Sequence, residues 1–193
     1  MNRRTQKKIG TLAGFSIQPL MVLAAVMIIP LGAAQAPLQG RPLTEAKSQS
    51  KLLNKKPTGI FQEVADQALQ AMTKRAEELH IQGVAVVAYI EGDSVKSWAS
   101  KMTVVGSMTK APSQKDPGAN LLAIAYAKAS EMAETLKDSG SGGRPPMTGE
   151  FGWQGGVIAK GRTGYLIAAF SGGPSEDDVK VSQTGLEILA SKL

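Results

Sequence analysis

The chain contains no cysteine. That absence excludes disulfides, thiolate metal sites, iron–sulfur clusters, covalent haem attachment through C-x-x-C-H and a lipoprotein anchor. Histidine is almost as scarce, with His80 standing alone. One imidazole and no thiolate do not make a tetrahedral zinc site. A Ser-His-Asp triad would have to use His80 as its base, and the S-G-G run at Ser171 reads as turn and cap rather than nucleophile elbow. Aromatic residues make up only 5% of the chain, so Phe151 and Trp153 lying two residues apart stand out.

Acid is missing from the first 36 residues, which carry Arg3, Arg4, Lys7 and Lys8. An apolar stretch from Pro19 to Ala34 follows and ends in Ala34-Gln35-Ala36. Basic start, short apolar middle and small-x-small end are the three parts of a cleaved secretory signal. A membrane anchor needs about 20 apolar residues, and this core is shorter and holds Pro30. The Arg3-Arg4 pair raises a twin-arginine route, but Thr5, Gln6 and Lys7 stand where that signal favours hydrophobic residues. The expectation is an exported protein, periplasmic or secreted, that starts at Pro37 and keeps no stable membrane span.

Removing residues 1–36 changes the charge argument. The whole chain has formal charge +6, whereas the remainder holds 18 basic and 16 acidic residues. A near-neutral domain lacks the basic stripe of a nucleic-acid binder. The densest basic cluster left, Lys47, Lys51, Lys55 and Lys56, lies in a polar segment and reads as solvated linker. About 157 residues suffice for one proper core.

Residues 37–57 show no period and read as a leader. From Thr58, taken as a cap, apolar residues at Phe61, Val64, Ala65, Ala68, Leu69, Met72, Ala76 and Leu79 have helical spacing. Val84 to Ile90 is a continuous apolar run and predicts a buried strand. Glu91-Gly92-Asp93-Ser94 turns into a second strand from Val95 to about Val105. Asp116-Pro117 predicts a helix start, with Asp as cap and Pro at the first helical position, running to Gly140. A second hairpin joins Trp153–Ala159 to Thr163–Ser171. Ser175 with Asp178 makes a capping-box pattern ahead of a last helix, whose buried stripe is Val179, Leu186, Leu189 and Leu193. The order α-β-β-α-β-β-α predicts an α+β domain over 58–193, an antiparallel sheet flanked by helices.

The Gly-rich loop 139–156 is the strongest candidate for a ligand site. Seven glycines, Gly155 and Gly156 among them, surround Arg144, Glu150, Phe151 and Trp153. Bare backbone admits a flat ligand, aromatics stack on it, and arginine pairs with a carboxylate. Phe151 and Trp153 share strand parity and point to one face if the strand begins there. The competing reading is an oligomer contact or an ordered loop without ligand. Met102, Met108, Met132 and Met147 are soft iron ligands or core filler. Tyr89, Tyr126 and Tyr165 are phenolate candidates or packing. His80 is an axial-ligand candidate or simply favours a helix C-terminus. Asp177 and Asp178 read as caps rather than acid/base groups.

Gly155-Gly156-Val157-Ile158, Gly161, Gly164, the run YLIAAF, Ser171-Gly172-Gly173 and Glu176-Asp177-Asp178 together resemble the HbpS/GlcG family. Upstream, VAVVAYIEGD and Tyr126-Ala127-Lys128-Ala129 resemble its first strand and K-A helix. The resemblance covers about residues 60–193. It implies a profilin-like fold, a homo-oligomer, and a non-catalytic haem- or tetrapyrrole-binding role in the envelope, with a sensor protein as a possible partner. The alternatives it leaves open are an assembly module without tetrapyrrole, and a small-molecule enzyme of the glycolate- or corrinoid-associated kind. The chain departs from the family at Lys101-Met102-Thr103-Val104-Val105, where relatives carry R-M-D-G-A. It departs again at Ile158, where Pro is usual, and at Tyr165, where a small residue is usual.

Overall fold

The computed structural model describes residues 56–193. The expected signal, residues 1–36, and nearly all of the expected leader lie outside them. Helix α1, Pro57–Glu78, buries Phe61, Val64, Ala65, Ala68, Leu69, Met72 and Ala76, the stripe read from the sequence. Its start is capped differently from expectation. Lys56 is the N-cap and Pro57 takes the first helical position. Proline's fixed φ suits that position and its missing N–H costs nothing there. At the other end His80 adopts a left-handed φ of 56°. His80 N–H bonds to Glu77 C=O and Ile81 N–H to Ala76 C=O. This is a Schellman closure with histidine in the usual glycine position.

Strand β1, Gly83–Glu91, is buried from Gly83 to Ile90. β2 is Trp98–Val105, β5 is Gly156–Lys160 and β6 is Gly164–Ser171. The unbroken apolar run of β1 is explained by its central place in the order β2-β1-β6-β5. All neighbours are antiparallel. Side chains alternate between the two faces of the sheet. Ala85, Val87, Tyr89, Leu166, Ala168 and Phe170 pack with α1 and the last helix, α3, Ser175–Ala190. Val84, Val86, Ala88, Ile90, Ile167 and Ala169 pack with α2, Leu121–Thr135. The result is the α+β architecture expected: an antiparallel sheet between helices in a profilin-like arrangement.

Beyond the cap of α1, the structure corrects further expectations. β2 begins at Trp98 and not Val95, because its ladder with β1 ends at the Ile90–Trp98 pair. α2 ends at Thr135, short of Gly140, because Leu136 takes a left-handed φ of 53°. A pair of two-residue strands, β3 (Thr109–Lys110) and β4 (Ala119–Asn120), precedes α2. That pairing keeps residues 119–120 extended, so α2 begins at Leu121 and not after Asp116-Pro117. Asn120 is the cap, its Oδ1 accepting from Ala123 N–H at 3.0 Å, while Asp116 accepts from Gly118 N–H within its own turn. Strand β5 begins at Gly156, not Trp153, because Gly152 and Gly155 have φ of 62° and 131° and end any extended run. The N-cap of α3 is Pro174 without a side-chain bond, and Asp178 reaches back to Gly173 N–H instead. The buried stripe of α3 is Asp178, Val181, Ser182, Gly185 and Leu189; Val179 and Leu186 pack at its border.

Gly185 lets α3 lie against α1. A Cβ there would meet Met72, whose Cγ lies 2.7 Å away, and Met72 is fully buried. Gly185→Val should therefore destabilise by about 1–3 kcal/mol through overpacking, despite the better helix propensity of valine. Urea unfolding measures it, and adding Met72→Ala should recover part of the loss.

Candidate functional site

At one end of the sheet a cleft of about 360 Å3 opens between the Gly172–Gly173 turn, Lys110, Asp116 and Trp153. Its floor is a buried ion pair. Lys128 Nζ on α2 lies 2.8 Å from Asp178 Oδ2 on α3, with only 3% and 4% of the two side chains exposed. Lys128 also donates to Phe170 C=O at 2.8 Å. Asp178 Oδ1 accepts from Gly173 N–H at 2.8 Å. Burial pushes the lysine down and the aspartate up from their usual ranges, each against the pull of its partner. The sequence carried one signal for this pair. Lys128 falls on the stripe of Leu121, Ile124, Ala125, Ala129 and Met132, a charged residue in line with apolar ones. Asp178 was read as a cap. It does brace the turn before α3, but its second oxygen belongs to Lys128.

Gly155, expected to face a ligand, is buried against this pair. A Cβ there would collide with Lys128 Nζ and stand 2.8 Å from Asp178 Cβ. Its carbonyl accepts from Ser182 Oγ at 2.7 Å and from Phe170 N–H at 3.0 Å. Gly156 opens β5 opposite Ala169 and packs on Met132. Both glycines serve close packing within the chain.

Arg144 and Glu150 come together, with Glu134 as a third member. Arg144 bonds both oxygens of Glu150, at 2.7 and 2.8 Å, and Glu134 Oε2 at 2.6 and 3.0 Å. The arginine is raised above its ordinary value. Its hydrogen bonds to Glu150, with the Met147 N–H, hold that carboxyl down at about 2. Arg144 thus pairs with two of the protein's own carboxylates and ties the loop to α2.

On that fixed loop Phe151 and Trp153 face each other, ring centroids 4.8 Å apart at 31°. They are 44% and 51% exposed, so the structure brings the two expected aromatics together without a strand. Met102 is elsewhere, on β2, half-buried against the α2-side core. His80 is exposed beside a second depression, about 510 Å3, which shares Lys110, Leu121 and the Gly172–Gly173 turn with the first. Tyr89 is committed to Thr163 at 2.8 Å. Among the described residues no cluster of three or more histidines and acids could hold a metal ion.

Two measurements check these roles. Removing one partner of a buried pair strands a charge, at a cost of about 3–5 kcal/mol, whereas replacing both by apolar groups is often near neutral. Lys128→Met and Asp178→Leu should each destabilise strongly, and the double variant by much less than the two combined, in urea unfolding. Glu150 has a folded pKa below its unfolded one, so its stabilisation is complete above about pH 5 and lost as pH falls toward about 2. The stability gap between the native protein and Glu150→Gln should thus be flat above that pH and close below it.

No protein-family model matches the chain, and no curated protein shows significant sequence similarity to it.

Proposed function

We propose that this chain is a non-catalytic binding protein of the cell envelope that holds haem or another tetrapyrrole against the Phe151–Trp153 platform. The observation that carries this reading is the exposed aromatic pair on an immobilised loop. Half-exposed aromatic rings offer a planar macrocycle both area and stacking. The ion pairs of Arg144 order the loop in advance, so less freedom is lost on binding. The cleft beside Trp153 extends the surface available to the ligand. The residue pattern shared with HbpS/GlcG proteins supports the same reading, and the signal-like first 36 residues support the envelope location.

The residues present fit the ring better than they fit the iron. Phe151 and Trp153 would hold the macrocycle. Met147, 51% exposed on the same loop, offers a thioether to the metal. Lys110 at the cleft, 3.4 Å from Asp116 and largely exposed, is the cation there that can turn to a propionate. Haem would supply a redox-active iron and a chromophore. Arg144 and its two glutamates would hold the platform in place.

Titration of the purified protein with haem should give a Soret band that saturates at a defined ratio. Trp153→Ala and Phe151→Ala should each weaken binding about tenfold, about 1.4 kcal/mol. Both side chains are half exposed, so stability should change little. The absence of a saturable Soret change, or a Phe151→Ala/Trp153→Ala variant that binds as the native protein does, would overturn the proposal.

A further inference from the structure

We propose that the outer edge of β2, unpaired among the described residues, docks a second copy of this chain, strand to strand, in an antiparallel pairing centred on Lys101. The two edges of the sheet are built differently. The outer edge of β5 is occupied by its own chain. Ile158 N–H donates to Asp138 Oδ1 at 2.9 Å and Gly156 N–H to Ser139 Oγ at 2.8 Å, while Gly156 C=O accepts from Ser139 N–H. β2 is the last strand at the other side, and among the described residues it pairs only with β1.

Edge strands that avoid pairing carry a bulge, a proline or a charged side chain, lysine above all. β2 has neither bulge nor proline, and its one lysine is held in an ion pair within the chain. Its register with β1 runs unbroken from Val105 to Trp98. It contains neither proline nor glycine. Its one charge, Lys101, lies 2.8 and 2.9 Å from the two oxygens of Asp66.

The occupant follows from the strand's own sequence, WASKMTVV. Antiparallel pairing about Lys101 sets Trp98 opposite Val104 and Ser100 opposite Met102, each twice by symmetry. Aromatic opposite β-branched is a favourable cross-strand pair. Trp98 and Met102 are half-buried on the α2 side of the sheet and Val104 is 41% exposed, so pairing covers a stripe that one copy leaves open. On the opposite face Ala99 meets Thr103, both small. The register sets the two Lys101 residues opposite each other at the dyad, and each ammonium is neutralised by the Asp66 of its own copy. Such an interface is isologous and closes on itself. It does not rest on the tetrapyrrole reading, because the Phe151–Trp153 loop leads into β5 at the other end of the strand order.

The absence of native cysteine makes the test direct. Under mild oxidation Lys101→Cys should cross-link to itself as a dimer. Ala99→Cys mixed with Thr103→Cys should give the mixed dimer in preference to either self-linked one. Ser94→Cys, in the exposed loop after β1, is the collisional control. In sedimentation the native protein should be a dimer, and Val104→Lys should raise its dissociation constant at least tenfold. A native monomer at high micromolar concentration would overturn the proposal. So would Lys101→Cys cross-linking no faster than Ser94→Cys, including the case where the chain's own leader covers the edge.

Discussion

The Lys128–Asp178 pair joins elements that the sheet keeps apart. α2 packs on one face and α3 on the other, and the pair links them at the end of β6. Lysine spans that distance with an apolar stem and finishes on Phe170 C=O and Asp178. The same carboxylate braces the turn before α3. Gly155 has to be glycine for the ammonium to lie there. An ion pair taken out of water gives little net stability. What it gives here is position: helix, turn and strand end are set relative to one another, and the cleft beside Trp153 inherits that geometry.

A second set of charges orders the loop above the cleft. Glu131 accepts from Gly140 N–H, and Glu134 shares Arg144 with Glu150. Both glutamates project from α2, the helix that also carries Lys128. One helix therefore fixes the floor of the cleft by a buried contact and its upper wall by more exposed ones. The exposed contacts are screened by salt more readily than the buried one. The wall can thus loosen while the floor stays set.

How much of this was legible depended on the range of the interactions. The stripe from Phe61 to Ala76 and the run from Val84 to Ile90 follow from local period, and the structure keeps both. Strand and helix starts were less legible. Asp116-Pro117 is a sound local start signal, yet a two-residue ladder to Thr109 and Lys110 overrides it. Trp153 looks like a strand residue until Gly152 and Gly155 turn left-handed. The site was legible in its residues and not in its pairings. Phe151 and Trp153 lie close in sequence and meet in space. The partners of Arg144 stand ten residues before it and six after, across an irregular loop where no period applies. Lys128 and Asp178 are fifty positions apart, and only the lysine's place on an apolar stripe marked it.

Asp138 and Ser139 close one side of the sheet with groups from the chain itself. A sheet open at both sides can add copies without limit and grow into a fibre, as cross-β assemblies do. With β5 sealed, any growth by strand addition is confined to β2 and stops after one step. Two short polar side chains thus set an upper bound on polymerisation by this route, and losing them would turn a terminating contact into a propagating one.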